Sequence, residues 1–267
     1  MPINRREFAT LATASAIIST TRTSAKPTDQ PYHASEIPNT GPSERVLMLV
    51  YPGFTALDMV GPQYAFGSMV GAVVQLVAKS REPVRSDTGL IFSPDVTFSD
   101  AVPDPDILFT PGGLRGTLSA MQDPETIAFM RERGGQAKFV TSVCTGSLIL
   151  GAAGLLKGYK ATSHWLTLDL ITRLGAAPVH ERIVVDRNRI TGAGVTAGID
   201  FGLTIVGMLR GATYAQAVQL LAEYDPAPPF AGSGNPRTAP AAAREMIDRI
   251  MVKFRAEASS AVAAARP

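Results

Sequence analysis

Short apolar runs alternate with amphipathic stretches along most of this chain. Val46–Tyr51 (VLMLVY) is continuously apolar and stops at Pro52-Gly53, the pattern of a strand buried on both faces of a parallel sheet. Ala56–Val70 reads as a helix with Leu57, Tyr64 and Met69 on its apolar side; Pro62 lies inside it, so a kink or a late start is expected. Ala72–Ala78 is a second strand. Val84–Phe98 reads as a hairpin excursion around Asp87-Thr88-Gly89, and Asp106–Thr110 as a short strand ending in Pro111-Gly112-Gly113. Pro124–Gly134 is helical. Lys138–Val143 is a strand that runs straight into Cys144, and Thr145–Ala153 is a helix of small residues. Further helices are predicted over His164–Leu174, over Thr196–Leu209 with Ile199, Leu203, Val206 and Leu209 on one face, and over Thr213–Tyr224. Ile183–Thr191 reads as a hairpin turning at Arg187-Asn188. Asp225–Pro240 is a Pro-rich loop, and Ala241–Ala265 is an Ala-rich helix with Met246, Ile250 and Phe254 on one face.

Strands alternating with helices predict an α/β fold, a parallel sheet with helices on both faces. Chemistry in such folds sits outside the C-terminal ends of the strands. The segments Tyr51-Pro52-Gly53, Thr110-Pro111-Gly112-Gly113 and Val143-Cys144 all fall at strand ends.

Composition bounds this picture. With 267 residues, 45% hydrophobic and 18% charged, the chain suits one α/β domain with extensions. No run approaches the roughly 18 apolar residues of a membrane-spanning helix, so no stable membrane insertion is expected. The first 25 residues differ from the rest. Arg5-Arg6 precedes a weakly apolar run through Leu11, Ala16, Ile17 and Ile18, followed by small residues Thr23, Ser24 and Ala25. That order resembles a twin-arginine export signal and predicts a periplasmic or secreted protein; the alternative is an N-terminal tail with two incidental arginines. The signal reading spans 1–25, a Pro/Ser/Thr-rich linker 26–44, the domain 45–240 and the C-terminal helical extension 241–267.

Charge adds little after that division. Arg5, Arg6 and Arg22 against Glu7 account for the whole formal charge of +2, so the remainder is balanced and suggests no nucleic-acid surface. Cys144 is the single cysteine, which excludes an internal disulfide. The histidines are His33, His164 and His180, with no zinc-type spacing, and no metal or cofactor is expected.

The segment SVCTGSLILGAAG places Cys144 between a buried strand and a helix. Strand, tight turn and helix with small neighbours is the logic of a nucleophile elbow, in which the side chain projects outward. A thiol at a helix N-terminus feels orphan N–H groups and the dipole, which favour the thiolate. The alternative is an inert buried cysteine. Gly112 and Gly113 can turn backbone N–H groups inward to stabilise developing negative charge, or simply make a tight loop. Asp58, in an otherwise apolar segment, needs a partner if buried; the alternative is a helix cap.

Together these segments, with ALDMVGP, TPGG, VTSVCTGSLILGAAGLLKG, ATSHW, HERIVVDRNRITGAGVTAGIDF and EYDPAPPF, resemble the ThiJ/PfpI superfamily, and within it the isonitrile hydratases and the sensor domains of AraC-type regulators. The resemblance runs from about Arg45 to Pro240. It implies a flavodoxin-like sandwich of the class I glutamine amidotransferase-like type, a homodimer, and a small-molecule substrate. It carries a nucleophile onto Cys144, an acidic partner onto Asp58, a supporting hydroxyl onto Thr145 and a backbone-donor loop onto Gly112, Gly113 and Leu114. His164 is placed at the pocket wall or as a structural histidine. Protease-like members put His after the nucleophile, where this chain has Thr145, and amidotransferases need a Glu two residues after His, where it has Leu166; neither activity is expected. The implied reaction is hydration of an isonitrile to an N-substituted formamide through a thioimidate on Cys144. The rival expectations are a ligand-binding module like the AraC-type sensors and a thiol-based aldehyde or oxidative-stress protein. Beyond residue 224 come a Pro-rich loop and one helix, too little for a typical pair of helix-turn-helix units.

Overall fold

The computed structural model describes residues 43–265. The segment read as an export signal and the linker up to residue 42 lie outside the described residues. The strands are β1 (Arg45–Leu49), β2 (Val73–Ala78), β3 (Val84–Arg85), β4 (Ile91–Phe92), β5 (Val96–Thr97), β6 (Ile107–Thr110), β7 (Phe139–Val143), β8 (Lys160–Ala161), β9 (Ala177–Pro178), β10 (Ile183–Asp186) and β11 (Arg189–Gly192). The α-helices are α1 (Ala56–Gly67), α2 (Leu114–Ala120), α3 (Pro124–Gln136), α4 (Gly146–Ala152), α5 (Ala197–Arg210), α6 (Ala212–Leu221) and α7 (Ala241–Ala264).

The main sheet has the order β10-β11-β7-β6-β1-β2-β5. Every pairing in it is parallel except β10 with β11. The apolar runs Val46–Leu49 of β1 and Ile107–Phe109 of β6 are buried, as strands covered by helices on both faces must be. The expected flavodoxin-like α/β sandwich is therefore present. β1 lies between β2 and β6, so the chain leaves it in both directions and opens a crevice at the carboxyl ends of β1, β6 and β7.

Helices α1 and α5 pack on each other through glycines. A methyl group at Gly202 would stand 2.7 Å from Ala65 Cβ, and one at Gly198 3.1 Å from Pro62, so only bare backbone lets the two helices approach here. The buried face of α5 is consequently Ala197, Gly198, Phe201, Gly202, Ile205 and Val206. That corrects the predicted face: Val206 belongs to it, but Ile199, Leu203 and Leu209 are only partly buried.

Other expectations change as well. In α1 Asp58 is buried together with Met59, Ala65 and Phe66, while Leu57 is 45% exposed. Glu44, read as the last linker residue, is buried and held bidentately by Arg210 at the end of α5. The helix predicted over His164–Leu174 is a 3-10 helix confined to Leu168–Leu174. Upstream, Thr162 N–H donates to Thr191 Oγ1 (2.8 Å) and Ser163 Oγ to the Cys144 carbonyl (3.3 Å), which holds that stretch against the sheet. Of the predicted apolar face of α7, Phe254 is buried with Ala258, Ala261 and Val262, but Met246 and Ile250 are 56% and 57% exposed.

Candidate active site

Three strand ends supply the site. After β7 the chain turns at Cys144, whose φ of 58° is left-handed; a non-glycine residue there carries a cost of about 1–2 kcal/mol. The turn is held by backbone: Cys144 N–H is shared between the carbonyls of Gly192 (3.0 Å) and Ala193 (2.7 Å). Thr145 stands at the N-cap position of α4 without a side-chain cap bond, and Gly146 follows because a Cβ there would sit 2.5 Å from the Thr110 carbonyl oxygen.

After β1, Asp58 enters from the first turn of α1. The helix is not capped by its own N-cap residue, Thr55. Instead Asp87, at the tip of the β3–β4 hairpin, accepts from Thr55 Oγ1 (2.8 Å) and, more weakly, from Ala56 N–H (3.4 Å). The Asp58 side chain is fully buried. Its Oδ2 accepts the Gly112 N–H at 2.8 Å, while Oδ1 is buried with no hydrogen-bond partner among the described residues. The Cys144 thiol is the electrostatic neighbour of this carboxyl.

After β6, Gly112 and Gly113 form the connecting loop. A Cβ on Gly112 would lie 2.6 Å from Thr145 N and 2.8 Å from Asp58 Oδ2; one on Gly113 would lie 2.5 Å from the Gly53 carbonyl oxygen. Both amides are already committed, Gly112 to Asp58 and Gly113 to Thr145 Oγ1 (3.0 Å). The expected role for these N–H groups, receiving charge on a substrate atom, is not the one they fill in this geometry: they aim the Asp58 and Thr145 side chains. Leu114 begins α2 with a left-handed φ of 38°. It borders a cleft of about 370 Å³ together with Gly53, Gly113, Ile250 and Phe254. That cleft meets the site at Gly113 and is not lined by Cys144 or Asp58.

Electrostatics revise the picture of an ionised, outward thiol. Cys144 is only 4% exposed. Burial and the adjacent Asp58 push its thiol well above its ordinary range, and the Thr145 amide and hydroxyl only partly oppose that. Asp58 is raised to about 7, chiefly by burial, against the Gly112 and Cys144 hydrogen bonds that favour its ionised form. The anticipated rise is thus found, but desolvation drives it rather than a neighbouring thiolate. At neutral pH the pair consists of a thiol beside a carboxyl poised between its two states.

His164 is partly buried. Its Nδ1 accepts the Leu166 N–H at 3.3 Å, and burial depresses its pKa to about 4. It makes no hydrogen bond to Cys144 or Asp58, although its ring lies beside Gly194, next to the Ala193 carbonyl that holds Cys144. Among the described residues no cluster of His, Cys, Asp and Glu could hold a metal ion.

Sequence reasoning passed over several residues of the site. Thr117 carries no motif, Asp87 reads only as turn material, and Tyr51 enters only as part of the strand-end segment Tyr51-Pro52-Gly53, with no role of its own. The distinctive EYDPAPPF segment acts at one remove. Tyr224 OH donates to Asp200 (3.1 Å), Asp200 pairs with Arg182, and the Arg182 carbonyl accepts the Ala193 N–H.

Known proteins share this architecture. Residues 44–208 match the DJ-1/PfpI family. An isonitrile hydratase from Pseudomonas putida is 50% identical over 194 residues, 73% of this chain and 84% of that one. A crystal structure of a ThiJ/PfpI family protein from Pseudomonas syringae superposes with a TM-score of 0.82 at 51% identity, covering 90% of this chain and 98% of that one. The HTH-type transcriptional regulator GbdR of Pseudomonas aeruginosa is 31% identical over 144 residues, 53% of this chain but 38% of its own length. By its sheet order, its strand-end site and these matches, the chain belongs to the DJ-1/PfpI family.

Proposed function

We propose that this protein hydrates a small isonitrile to an N-substituted formamide, with Cys144 as nucleophile and Asp58 as the proton carrier. One observation carries the reading: a buried carboxyl with a free oxygen stands beside a thiol in a strained turn. The similarity to a named isonitrile hydratase supports it. An isonitrile carbon must gain a sulfur and a proton, and this pair has both to give.

Asp58 carboxylate withdraws the thiol proton as Sγ bonds to the terminal carbon, and the proton passes to that carbon. The product is a thioimidate, R–N=CH–S–Cys144. Asp58 then activates a water that attacks the same carbon, the nitrogen is protonated, and the carbon–sulfur bond breaks. Formamide leaves and the thiol is restored, so one isonitrile and one water are consumed with no net redox change. Thr145 orients the sulfur or the water. Homodimerisation and export through residues 1–25 belong to the same proposal. The raised thiol pKa favours this reading over a peroxide sensor, whose cysteine needs thiolate character, because here Asp58 takes the proton as the carbon–sulfur bond forms.

The test is formamide production from a small alkyl isonitrile. Cys144→Ala is expected to fall to the uncatalysed rate and Asp58→Asn to lose about 10²–10⁴-fold. Because Asp58 acts first as a base, kcat/KM should rise with pH through about 7. Full activity in either variant ends the proposal.

A further inference from the structure

Behind Cys144 a chain of buried hydroxyls runs inward from Thr145, and beyond Thr145 the hydration scheme does not use it. Tyr51 OH is 2.7 Å from the Pro111 carbonyl and 3.0 Å from Thr117 Oγ1; Thr117 Oγ1 is 2.8 Å from Thr145 Oγ1, which also accepts the Gly113 N–H. Thr117 and Thr145 are fully buried and Tyr51 is 6% exposed. A hydroxyl has one proton to give. The Pro111 carbonyl can only accept, so Tyr51 donates to it. Thr117 must then donate to Tyr51, and Thr145 to Thr117. Every proton in the chain points away from Cys144.

Loss of the thiol proton inverts this order. Thr145 is the residue next to Cys144, its hydroxyl opposes the rise in the thiol's pKa, and on ionisation it can turn its proton towards Sγ. Thr117 then donates to Thr145 and Tyr51 to Thr117, by rotation of hydroxyls alone. We propose that Tyr51, Thr117 and Thr145 form a hydroxyl relay whose hydrogen bonds reverse direction when Cys144 ionises, and that Tyr51 is the positioning residue that holds the relay in its resting direction.

The charged and titratable groups around the sulfur are few. Asp58 faces it from α1, Tyr51 from the end of β1, and His164 follows Ser163, whose hydroxyl donates to the Cys144 carbonyl. Asp87 of the hairpin acts on Asp58 and Tyr51. Burial holds the Tyr51 phenol well above its ordinary range, so it reorients rather than ionises.

The relay rests on Cys144 being the reacting group but not on any isonitrile. Cys144 is the only cysteine, so iodoacetamide uptake followed by intact mass reads this thiol alone, and the midpoint of the pH profile of uptake reports its ionisation. Tyr51→Phe strips Thr117 of its resting acceptor while leaving the reversed direction satisfied. Below the midpoint of the pH profile its alkylation rate should rise about three- to tenfold, a midpoint about half to one pH unit lower. Thr117→Val, which removes the resting acceptor of Thr145, should shift the midpoint the same way, and Thr117→Ser, which keeps the hydroxyl, should leave it in place. Circular dichroism establishes that each variant is folded. A folded Tyr51→Phe or Thr117→Val with an unmoved or raised midpoint overturns the relay, as does a Thr117→Ser shift of equal size. Failure to hydrate isonitriles would leave this result standing, and the converse also holds.

Discussion

Asp58 should make the protein less stable as the pH rises, and removing its charge should reverse that. In the unfolded chain its carboxyl titrates near 3.8; in the folded protein it titrates at about 7. Between these values the native state holds a proton that the unfolded state has lost, so unfolding free energy falls with pH across that window and levels off above it. No penalty exists below the lower value, and the full penalty exists above the upper one. At about 1.4 kcal/mol for each pH unit, the full penalty is on the order of 4 kcal/mol. Asp58→Asn keeps an oxygen for the Gly112 N–H and never ionises. Its amide leaves a mismatched donor where Oδ1 was, at about 1–3 kcal/mol, but that cost does not vary with pH. The informative quantity is therefore the slope. Urea melts of both proteins from about pH 5 to about pH 8 should show the variant gaining on the wild type by roughly 2–4 kcal/mol as pH rises. Cys144 is pushed up too far to titrate in that window. A stability difference constant across the range would refute the assignment of a proton-retaining Asp58.

Gly112→Ala should abolish turnover and lower stability by more than about 2 kcal/mol, because its Cβ meets the Thr145 backbone nitrogen at 2.6 Å; activity and thermal melts check both. Arg210→Ala should cost about 3–5 kcal/mol in a urea melt by leaving Glu44 buried without its bidentate partner. The imidazole of His164 should remain neutral down to about pH 5 in a proton NMR titration, since burial lowers its pKa to about 4; as pH falls below the ordinary histidine range, the unfolded chain takes up the proton first and stability drops.

Much of the sheet could be read from the order of residues, because a strand covered on both faces is written as an unbroken apolar run. VLML and ILF are such runs, FVTSV is interrupted by Thr141 and Ser142, and the turns after them carry the glycines and the cysteine. The helices were less legible. Helical periodicity favoured Leu57 as an inward residue of α1, yet Asp58 is the one enclosed. What brings it in is a hydrogen bond to Gly112, far away in sequence and near only once β1 and β6 are paired. The same distance hid Thr117, an ordinary threonine until Tyr51 and Thr145 flank it. Ionisation was misjudged for Cys144 because a helix start is visible in sequence but the depth of burial is not. For α7, the period placed Met246, Ile250 and Phe254 on one side without revealing that only its second half rests on the body.

The ladder that joins β1, β6 and β7 sets how accurately this site can be built. Val46 pairs with Ile107, and Ile107 with Phe139, so the turns that carry Asp58, Gly112 and Cys144 all leave from adjacent rungs, and hydrogen bonds between those turns complete the spacing. A designer wishing to transplant the constellation needs three neighbouring parallel strands in this register and the short turns that leave them. Grafting the same residues onto free-standing loops would keep the chemistry by name and lose the ångström on which it depends.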